Sequence, residues 1–440
     1  MKIHFIGIGG IGVSALAKYF LEKSHQVSGS DLVSSEMTKD LKKRRAKIYI
    51  GKHKTKNLPK DADLVIYSSA IQKNNPELKV AKKLEIKCQS YPQTLGKLTK
   101  QYFTIAVSGT HGKSTTTAMI GLLLMKAGFD PTVIVGTKLK EFGDSNYRVG
   151  KSKYLVIEAD EHFASFLNYW PKIIVLTNIE KEHLDYYKNL RNILRTYKEY
   201  INHLPADGIL VANKDDRNIS KIQIKNQKFR IINYSIKRKK TKKLRKILKI
   251  PGEHNVSNAL AALAVAQVLK IPDKISFETI SKYKGAWRRF EEKELKIVNC
   301  KLKIISDYAH HPTEIKATLK AAREKYPARK IWCVFQPHQY QRTYYLFNDF
   351  VKSFKESLNK NWIEKLILTD IYDVAGREDK KTKKKMSSKK LIEAIKGEQD
   401  TRYIPTMVKI RNYLRKNLQG REVVIIMGAG DIYHLTNGYR

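Results

Sequence analysis

Cysteine is scarce in this chain of 440 residues, which contains only Cys88, Cys300 and Cys333. They are isolated and odd in number, so the sequence predicts neither a disulfide framework nor a cysteine-based zinc site. Long apolar runs are also missing, because no stretch approaches the ~20 residues that a membrane-spanning helix needs. The chain opens on a strand-like segment at 3–8, without the pattern of a secretory leader. These absences predict a protein of the reducing cytoplasm that does not enter a membrane.

Acidic residues are strongly outnumbered, since 85 Lys and Arg against 42 Asp and Glu give a formal net charge of +43. Such an excess alone would indicate binding to nucleic acid or to an anionic membrane surface. The lysines, however, are spread along the whole chain. The densest runs, at 237–246 and 380–385, are typical of solvated loops. We therefore expect no specific nucleic-acid partner and favour a lysine-rich surface on an enzyme of anionic substrates.

The length and a hydrophobic content of 42% predict a globular protein with several domains. Short apolar strands alternate with helices, and polar residues follow the strands, as in doubly wound α/β folds. We predict three domains: a Rossmann-like domain at 1–100, a central P-loop ATPase-like domain at 101–285 and a second Rossmann-like domain at 286–440. The lysine-rich stretch at 217–250 is predicted to form a small peripheral sheet.

The most informative stretch is 105–117, with the sequence IAVSGTHGKSTTT. An apolar strand-like run ends at Gly109, Lys113 and Ser114 follow, and an apolar helix-like segment resumes at 118–125. Backbone N–H groups at a helix start, a lysine and a hydroxyl are suited to binding phosphates and Mg²⁺. Only two residues separate Gly109 from Gly112, where the common pattern has four. A tight strand-to-helix turn with an accidental lysine therefore remains the alternative.

Two other patterns point to nucleotide chemistry. The glycine loop at 7–12 follows a strand and precedes a helix, and Asp31 ends the next strand about 20 residues later, as in dinucleotide-binding folds. Glu158 and His183 follow strands of the phosphate-loop domain, where a Mg²⁺-nucleotide site needs such ligands. The alternatives are a packing turn for the glycine loop, a surface cap or ion pair for Glu158, and a packed histidine for His183.

Taken in order, these motifs resemble the Mur ligase superfamily, from Gly7 to Asp431. The motifs that carry the resemblance are GTHGKST at 109–115, EADE at 158–161, TNIE at 177–180, HLD at 183–185, HN at 254–255, RRFE at 288–291, DYAHHPTE at 307–314 and FQPH at 335–338. The chain is most similar to the branch that joins L-alanine to UDP-N-acetylmuramate. The cysteine-free glycine loop and Thr177-Asn178 distinguish it from the branch that recycles a murein tripeptide, which remains an alternative. A catalytically silent nucleotide-binding regulator is a second alternative.

The resemblance implies ATP-dependent amide formation through an acyl phosphate, with ATP and Mg²⁺ as cofactors and UDP-N-acetylmuramate and L-alanine as partners. It implies catalytic roles for Lys113, Glu158 and His183, and metal ligation by Ser114, Glu158 and His183. The implied ATP-binding residues are Gly109, Thr110, His111, Gly112, Lys113, Ser114, Thr115, His254 and Asn255. The implied UDP-sugar residues are Gly7, Gly9, Gly10, Gly12, Asp31 and Ser69. The implied amino-acid residues are Tyr308, His310 and Arg342, while Arg288 and Arg289 would clamp substrate phosphates or position the third domain. We expect a monomer or a weak dimer.

The chain departs from the family pattern at four places. Ser114 replaces the usual threonine and keeps the hydroxyl. Gln339 stands where the family usually has arginine, which leaves Arg342 as the local cation for the amino acid. The segment 90–93 lacks the usual Arg-Ala-Glu, so no UDP-site role is carried to it. A longer loop at 370–377 replaces a Pro-Ala-Arg-Glu ending.

Overall fold

The computed structural model describes residues 1–222, 224, 228–238, 240–297, 300–374, 380–395, 397 and 400–436. Within these residues the strands form three sheets whose pairs are mostly parallel, which confirms the predicted α/β class. The chain divides into two compact units. The first unit is Met1–Glu180, Leu190–Arg238 and Asn258–Ile280, and the second unit is Lys181–Asn189, Lys239–Ser257 and Ser281–Arg440. None of the described helices is long and apolar enough to cross a membrane.

The first sheet has the order β3-β2-β1-β4-β5, and its described pairs are all parallel. Its strands are β1 (Lys2–Ile6), β2 (Gln26–Asp31), β3 (Lys47–Ile50), β4 (Leu64–Tyr67) and β5 (Lys87–Ser90). The helices around it are α1 (Ile11–Glu22), α2 (Glu36–Lys43), α3 (Pro76–Lys83) and α4 (Tyr91–Gln101). The strand order reverses between β1 and β4. The loops that follow these two strands therefore meet at a topological switch point, where open α/β sheets bind ligands.

A buried carboxylate ties the elements of this sheet together. Glu77, on the first turn of α3, is fully buried. Its Oε2 accepts hydrogen bonds from His4 Nε2 at 2.9 Å and Ser30 Oγ at 2.7 Å, and its Oε1 accepts from His53 Nδ1 at 3.0 Å and Asn57 Nδ2 at 2.9 Å. These four donors fill the acceptor positions of the carboxylate. Burial alone would raise the pKa of Glu77, but the four hydrogen bonds outweigh it and hold the pKa well below its ordinary value.

Glu77→Gln is expected to lower the free energy of unfolding by about 2–4 kcal/mol, because the new amide group would face donors where an oxygen had accepted from them. The folded-state pKa of Glu77 lies below its unfolded value. Its stabilisation is therefore present above that unfolded value of about 4.3 and decreases as the pH falls below it. Urea unfolding at pH 7 and pH 4 measures both effects. Glu36→Gln, at a half-exposed surface ion pair, is the control and should cost less than about 1 kcal/mol. A difference from wild type that does not shrink at low pH would contradict this prediction.

The second sheet has the order β12-β11-β10-β6-β9-β7-β8, with β7 and β8 antiparallel and the other described pairs parallel. Its strands are β6 (Phe103–Ser108), β7 (Thr132–Leu139), β8 (Ser145–Arg148), β9 (Tyr154–Glu158), β10 (Ile173–Leu176), β11 (Ile209–Asn213) and β12 (Arg230–Tyr234). The helices in this part of the chain are α5 (Lys113–Lys126), α6 (Leu184–Tyr187), α7 (Leu190–Ile201), α8 (Lys240–Ile247), α9 (Glu253–Val268) and α10 (Asp273–Lys282). Strands at its centre, such as Ile173–Leu176, are apolar and buried throughout, which is typical of a parallel sheet that is covered on both faces.

The prediction of a separate peripheral sheet at 217–250 is wrong. Strand β12 extends the main sheet, with Ile209 opposite Arg230 in parallel register. The basic run that follows is α8, in which Thr241 and Leu244 are buried on one face. The other basic run is also helical, as α14 (Lys380–Lys385). Residues 240–246 of the first run and the whole of the second are therefore helical rather than loops, because lysines tolerate helical structure and extend into solvent.

The third sheet has the order β13-β14-β18-β15-β16-β17, and only β13 runs antiparallel to its neighbour among the described strands. Its strands are β13 (Glu291–Ile297), β14 (Cys300–Asp307), β15 (Ile331–Phe335), β16 (Lys365–Leu368), β17 (Asp400–Tyr403) and β18 (Val423–Met427). Its helices are α11 (Pro312–Lys325), α12 (Tyr340–Tyr345), α13 (Phe347–Asn359), α14, α15 (Ser388–Ile395) and α16 (Met407–Asn417). Short 3₁₀ helices elsewhere in the chain are Thr55–Asn57, Lys140–Phe142, His162–Asn168, Ile219–Lys221 and Asp431–Thr436. Strands β15 and β18 are buried along their whole length. Of the long loop predicted at 370–377, residues 375–377 lie outside the described residues.

Candidate active site

The phosphate loop connects β6 to α5 through two glycines with positive φ. Gly109 has φ 137° and Gly112 has φ 80°, which is left-handed backbone that favours glycine. A Cβ atom at Gly109 would lie 2.1 Å from Thr177 Oγ1, and one at Gly112 would lie 2.3 Å from Asn258 Oδ1. The loop therefore needs glycine at both positions for its conformation and for its close packing.

The end of β10 holds the phosphate loop in place. His111 N donates to Asn178 Oδ1 at 2.8 Å, and Thr110 N donates to the Asn178 carbonyl oxygen at 2.9 Å. Thr177 Oγ1 donates to the His111 carbonyl oxygen at 2.6 Å. In addition, His111 Nε2 lies 3.5 Å from Glu180 Oε2. These contacts explain the physical role of the Thr-Asn-Ile-Glu motif, which fixes the loop from the neighbouring strand.

Lys113 lies at the first position of α5, with its ammonium group folded onto the loop. Its Nζ donates to the Gly109 carbonyl oxygen at 2.7 Å and to Glu161 Oε2 at 2.9 Å. Burial lowers the pKa of Lys113, but Glu161 and Asp160 raise it by more, so the net pKa lies above the ordinary value. The side chain therefore remains a cation beside the loop. Glu161 lies in the EADE motif, but sequence reasoning assigned it no role.

Ser114 and Glu158 provide oxygen atoms beside two adjacent strands, since α5 follows β6 and Glu158 ends the neighbouring β9. Ser114 is buried in the first turn of α5. Glu158 ends β9, and its Oε1 accepts a hydrogen bond from Gly136 N. A Cβ at position 136 would lie 2.8 Å from Glu158 Oε2, so the glycine leaves room for the carboxylate. A hydroxyl and a carboxylate are hard oxygen ligands, which fits Mg²⁺.

The third expected metal ligand, His183, lies in the second unit. It precedes α6 with a positive φ of 52°, and its N–H donates to Glu182 Oε1 at 3.2 Å. The expected adenine residues also lie in the second unit. His254 is exposed in the first turn of α9, and Asn255 is buried, with its Nδ2 donating to the Pro251 carbonyl oxygen at 2.7 Å.

The first glycine loop is attached to the end of β2. Gly7 N and Ile8 N both donate to the Ser30 carbonyl oxygen, at 2.8 Å and 3.0 Å. Gly9 N donates to Asp31 Oδ2 at 2.8 Å. Asp31 thus holds the loop through its carboxylate. The N–H groups of residues 7–9 are already paired within the protein.

The N–H groups that remain for a ligand belong to the start of α1. Gly10 is its N-cap and supplies no side-chain cap. The N–H groups of residues 11–13 have no acceptor in the described part of the chain. Gly12 lies in this turn, and Ser69 is exposed just after β4, across the switch point. Such a helix start is suited to an anion.

The structure brings together the three residues expected to bind the amino acid, all within the second unit. The rings of Tyr308 and His310 have centroids 5.3 Å apart, and His310 lies 6.0 Å from the His338 ring. Arg342 Nη1 is 3.0 Å from His338 Nδ1, and Arg342 Nε donates to Glu182 Oε1 at 2.9 Å. His338 and Glu182 belong to this cluster, although no role was predicted for them.

The charges in this cluster are paired. Burial would raise the pKa of Glu182, but the Arg342 guanidinium and the nearby histidines outweigh it and hold that pKa well below its ordinary value. Burial lowers the pKa of His310 to about 4, although Glu314 opposes this shift. His310 is therefore neutral near pH 7. The cluster combines a buried cation, a buried anion and a neutral imidazole, which matches the charges of a zwitterionic amino acid.

Arg288 and Arg289 occupy different surroundings. Arg288 is buried, and its Nη2 donates to the carbonyl oxygens of Gly428 and, at 3.0 Å, Gly430. Arg288 Cζ lies 4.4 Å from the centre of the Tyr433 ring. Arg289 is more exposed, 3.9 Å from Glu314 Oε1. Arg288 therefore holds the loop after β18 inside the second unit, and phosphate clamping stays a prediction for both arginines.

Three protein-family models match the chain in succession. The Mur ligase family catalytic domain matches residues 2–103, the Mur ligase middle domain matches 107–266, and the Mur ligase glutamate ligase domain matches 288–430. The UDP-N-acetylmuramate–L-alanine ligase of Acetivibrio thermocellus is 41% identical over 98% of this chain and 94% of its own length. This chain belongs to the Mur ligase family.

Other Mur ligases extend the comparison. The ligase of the same name from Clostridium acetobutylicum is also 41% identical, over 99% of this chain and 96% of its own length. The solved structure of UDP-N-acetylmuramate–alanine ligase MurC from Thermotoga maritima aligns with a TM-score of 0.80 at 26% identity, over 99% of this chain and 97% of that one. A murein peptide ligase from Psychrobacter arcticus shares the fold, with a TM-score of 0.73 at 21% identity over 99% and 97% of the two chains. The family uses ATP.

Two positions at which this chain was compared with the Mur ligase pattern are Gln339 and Lys198. Gln339 has a positive φ of 73° before α12, and its N–H donates to the Tyr372 carbonyl oxygen at 3.0 Å. The backbone there is fixed, although the expected arginine is absent. Lys198, for which the resemblance suggests carbamylation as an alternative to an ordinary helix-surface lysine, is partly exposed on α7.

Proposed function

We propose that this chain ligates L-alanine to the lactyl carboxylate of UDP-N-acetylmuramate, converting ATP to ADP and phosphate. The observation that carries the proposal is 41% identity, over nearly the whole chain, to ligases of that name. The phosphate loop with Lys113, the free helix start of α1 and the charge-paired cluster around Arg342 supply chemistry for each of the three substrates.

Each proposed step uses groups described above. The lactyl carboxylate attacks the γ-phosphorus of ATP, ADP leaves, and an acyl phosphate forms. Lys113 offsets the repulsion between these two anions and the charge on the transferring phosphoryl group. The alanine amine, as the free base, then attacks the acyl carbon to give a tetrahedral intermediate. This intermediate expels phosphate and loses an amine proton as the amide forms. Arg342 binds the α-carboxylate of alanine, and Tyr308 and His310 form the neutral wall beside it.

We propose Mg²⁺ as the metal, held by Ser114 and Glu158, with His183 as ligand of a second ion. When bound, the metal neutralises phosphate charge. His254 and Asn255 contact adenine in this proposal. Further parts of it are domain boundaries at 100 and 285, a cytoplasmic location, and a monomer or weak dimer.

The test of the function is ADP release from ATP and UDP-N-acetylmuramate with Mg²⁺, on adding L-alanine, glycine, L-serine or a murein tripeptide in turn. We expect release to depend strongly on L-alanine. The preference over glycine and L-serine should be only about 10–200-fold, because a pocket separates such small differences weakly. Release driven by tripeptide alone would assign the chain to the recycling branch. Tight nucleotide binding without any release would favour the silent regulator.

A further inference from the structure

Tyr91 is a polar side chain of the first unit for which the mechanism above has no use. It is the first residue of α4, directly after β5, in the segment 90–93 that departs from the family pattern. Ser90 caps this helix, with its N–H donating to Gln93 Oε1 at 2.9 Å, and Pro92 lies in the first turn. Because a capped helix start with proline has a fixed backbone, the Tyr91 side chain projects from a rigid segment.

The Tyr91 hydroxyl lies against the first turn of α1. A Cβ atom at Gly12 would be 2.8 Å from Tyr91 Oη, closer than a real side chain allows. Glycine at position 12 therefore makes room for this hydroxyl. The contact places a phenolic O–H beside the N–H groups of residues 11–13, which have no acceptor in the described part of the chain.

The pKa of the Tyr91 hydroxyl is affected by carboxylates at or just after the end of a strand of the second sheet. Burial raises the pKa of Tyr91 above its ordinary value, and the carboxylates of Glu158 and Asp160 raise it further. The hydroxyl is therefore protonated at any physiological pH and can donate a hydrogen bond. Among the described residues the hydroxyl has no hydrogen-bond partner, and Tyr91 is partly exposed, so the O–H group is accessible to a ligand. A donor that only water satisfies can exchange that water for an oxygen atom of a ligand.

We propose that the Tyr91 hydroxyl recognises the sugar nucleotide, donating a hydrogen bond to a diphosphate oxygen that lies at the first turn of α1. The acceptor must carry several oxygen atoms, because both the phenol and the adjacent N–H groups are donors. The contact of the Tyr91 hydroxyl with Gly12 puts this diphosphate oxygen on the Gly12 side of the phenol. This assignment rests on the proposed function for the identity of the sugar nucleotide.

The test compares Tyr91→Phe with the wild-type full-length chain in binding UDP and uridine by calorimetry. Losing one hydrogen bond to a charged oxygen should weaken UDP binding about tenfold. Binding of uridine, which lacks the diphosphate, should change less than about twofold, because the phenyl ring keeps the packing. The KM for UDP-N-acetylmuramate should rise with that for ATP unchanged. Tyr102→Phe is the control, since its hydroxyl pairs with Tyr19 Oη at 3.1 Å within the same unit.

The outcomes separate the inference from the proposed function. Unchanged UDP binding in Tyr91→Phe would overturn the inference, and so would an equal loss for UDP and uridine, which would indicate a structural role. If the wild-type chain binds UDP but ligates nothing, the proposed function fails. A selective loss of UDP binding in the variant would then still support the hydroxyl as a diphosphate contact.

Discussion

Replacing Lys113 with alanine is expected to reduce turnover by about 10²–10³-fold, since one preorganised cation at the transferring phosphoryl group contributes on this scale. The lysine lies at the start of α5, and the charges around it keep it protonated. Its positive charge matters most when two anions approach, so the loss should appear in kcat more than in the KM for L-alanine. ADP release at saturating substrates measures the effect. Lys126→Ala, at the exposed end of the same helix, should keep wild-type turnover.

The partner of Lys113 complicates this variant and also supplies its control. Glu161 is buried, and burial raises its pKa to about 7 even though Lys113 opposes the shift. Without the lysine this carboxyl therefore takes up a proton at neutral pH and loses its ion pair, which can disturb the loop. Lys113→Ala combined with Glu161→Gln fixes the partner in a neutral form and should leave turnover low. Recovery of turnover in the double variant would show that the unpaired carboxyl, not the missing cation, caused the loss. Most of the activity surviving in Lys113→Ala would contradict the role of the lysine.

The elements with strong local signals could be predicted from the sequence. Apolar runs such as 331–335 and 423–427 form buried parallel strands, because burial on both faces requires continuous hydrophobicity. Helix α5 begins at Lys113, five residues before the apolar segment at 118–125 that predicted it. Threonine and serine have weak helix propensity, which hid the first turn, although a phosphate loop needs that turn.

Elements that depend on long-range pairing were not predictable in the same way. Strand β13 contains the charged sequence EEKELKI and is a strand because it pairs antiparallel with β14. The β7–β8 hairpin has a register shift between Ile134 and Leu139, so its pairing departs from simple alternation. Propensity is a weak guide for such segments, since the neighbouring strand decides their structure.

The candidate site shows the same division between local and long-range information. The phosphate loop and the glycine loop are local, and each was predicted with its surrounding strand and helix. The pairing of Lys113 with Glu161 joins residues 48 positions apart, and that of Arg342 with Glu182 joins residues 160 positions apart. The first pair depends on β6 lying next to β9 in the sheet, and the second pair on the packing of α6 against α12 within the second unit. For this reason Glu161, Glu182 and His338 were not assigned from the sequence.

Arg342→Ala is expected to raise the KM for L-alanine about 10–100-fold, because the guanidinium is the buried cation available to the α-carboxylate. Its Nε is occupied by Glu182 and its Nη1 by His338, so both residues aim the remaining N–H groups. The KM for ATP should remain within about twofold, since no nucleotide contact is lost. Initial rates at varied L-alanine concentrations measure the effect. Arg402→Ala, at an exposed ion pair with Asp400 in the same unit, is the control.

The double variant Arg342→Ala with Glu182→Gln decides between loss of binding and loss of structure. Arg342→Ala alone strands the buried Glu182 carboxylate, which by itself could distort the cluster. Removing both charges relieves that strain but supplies no cation for the α-carboxylate. A KM for L-alanine that stays high in the double variant supports direct recognition by Arg342, because only the guanidinium is then missing. A KM that returns to the wild-type value would mean that the pair acts through structure, and the carboxylate-binding group would have to be sought elsewhere, with Arg289 as the first candidate.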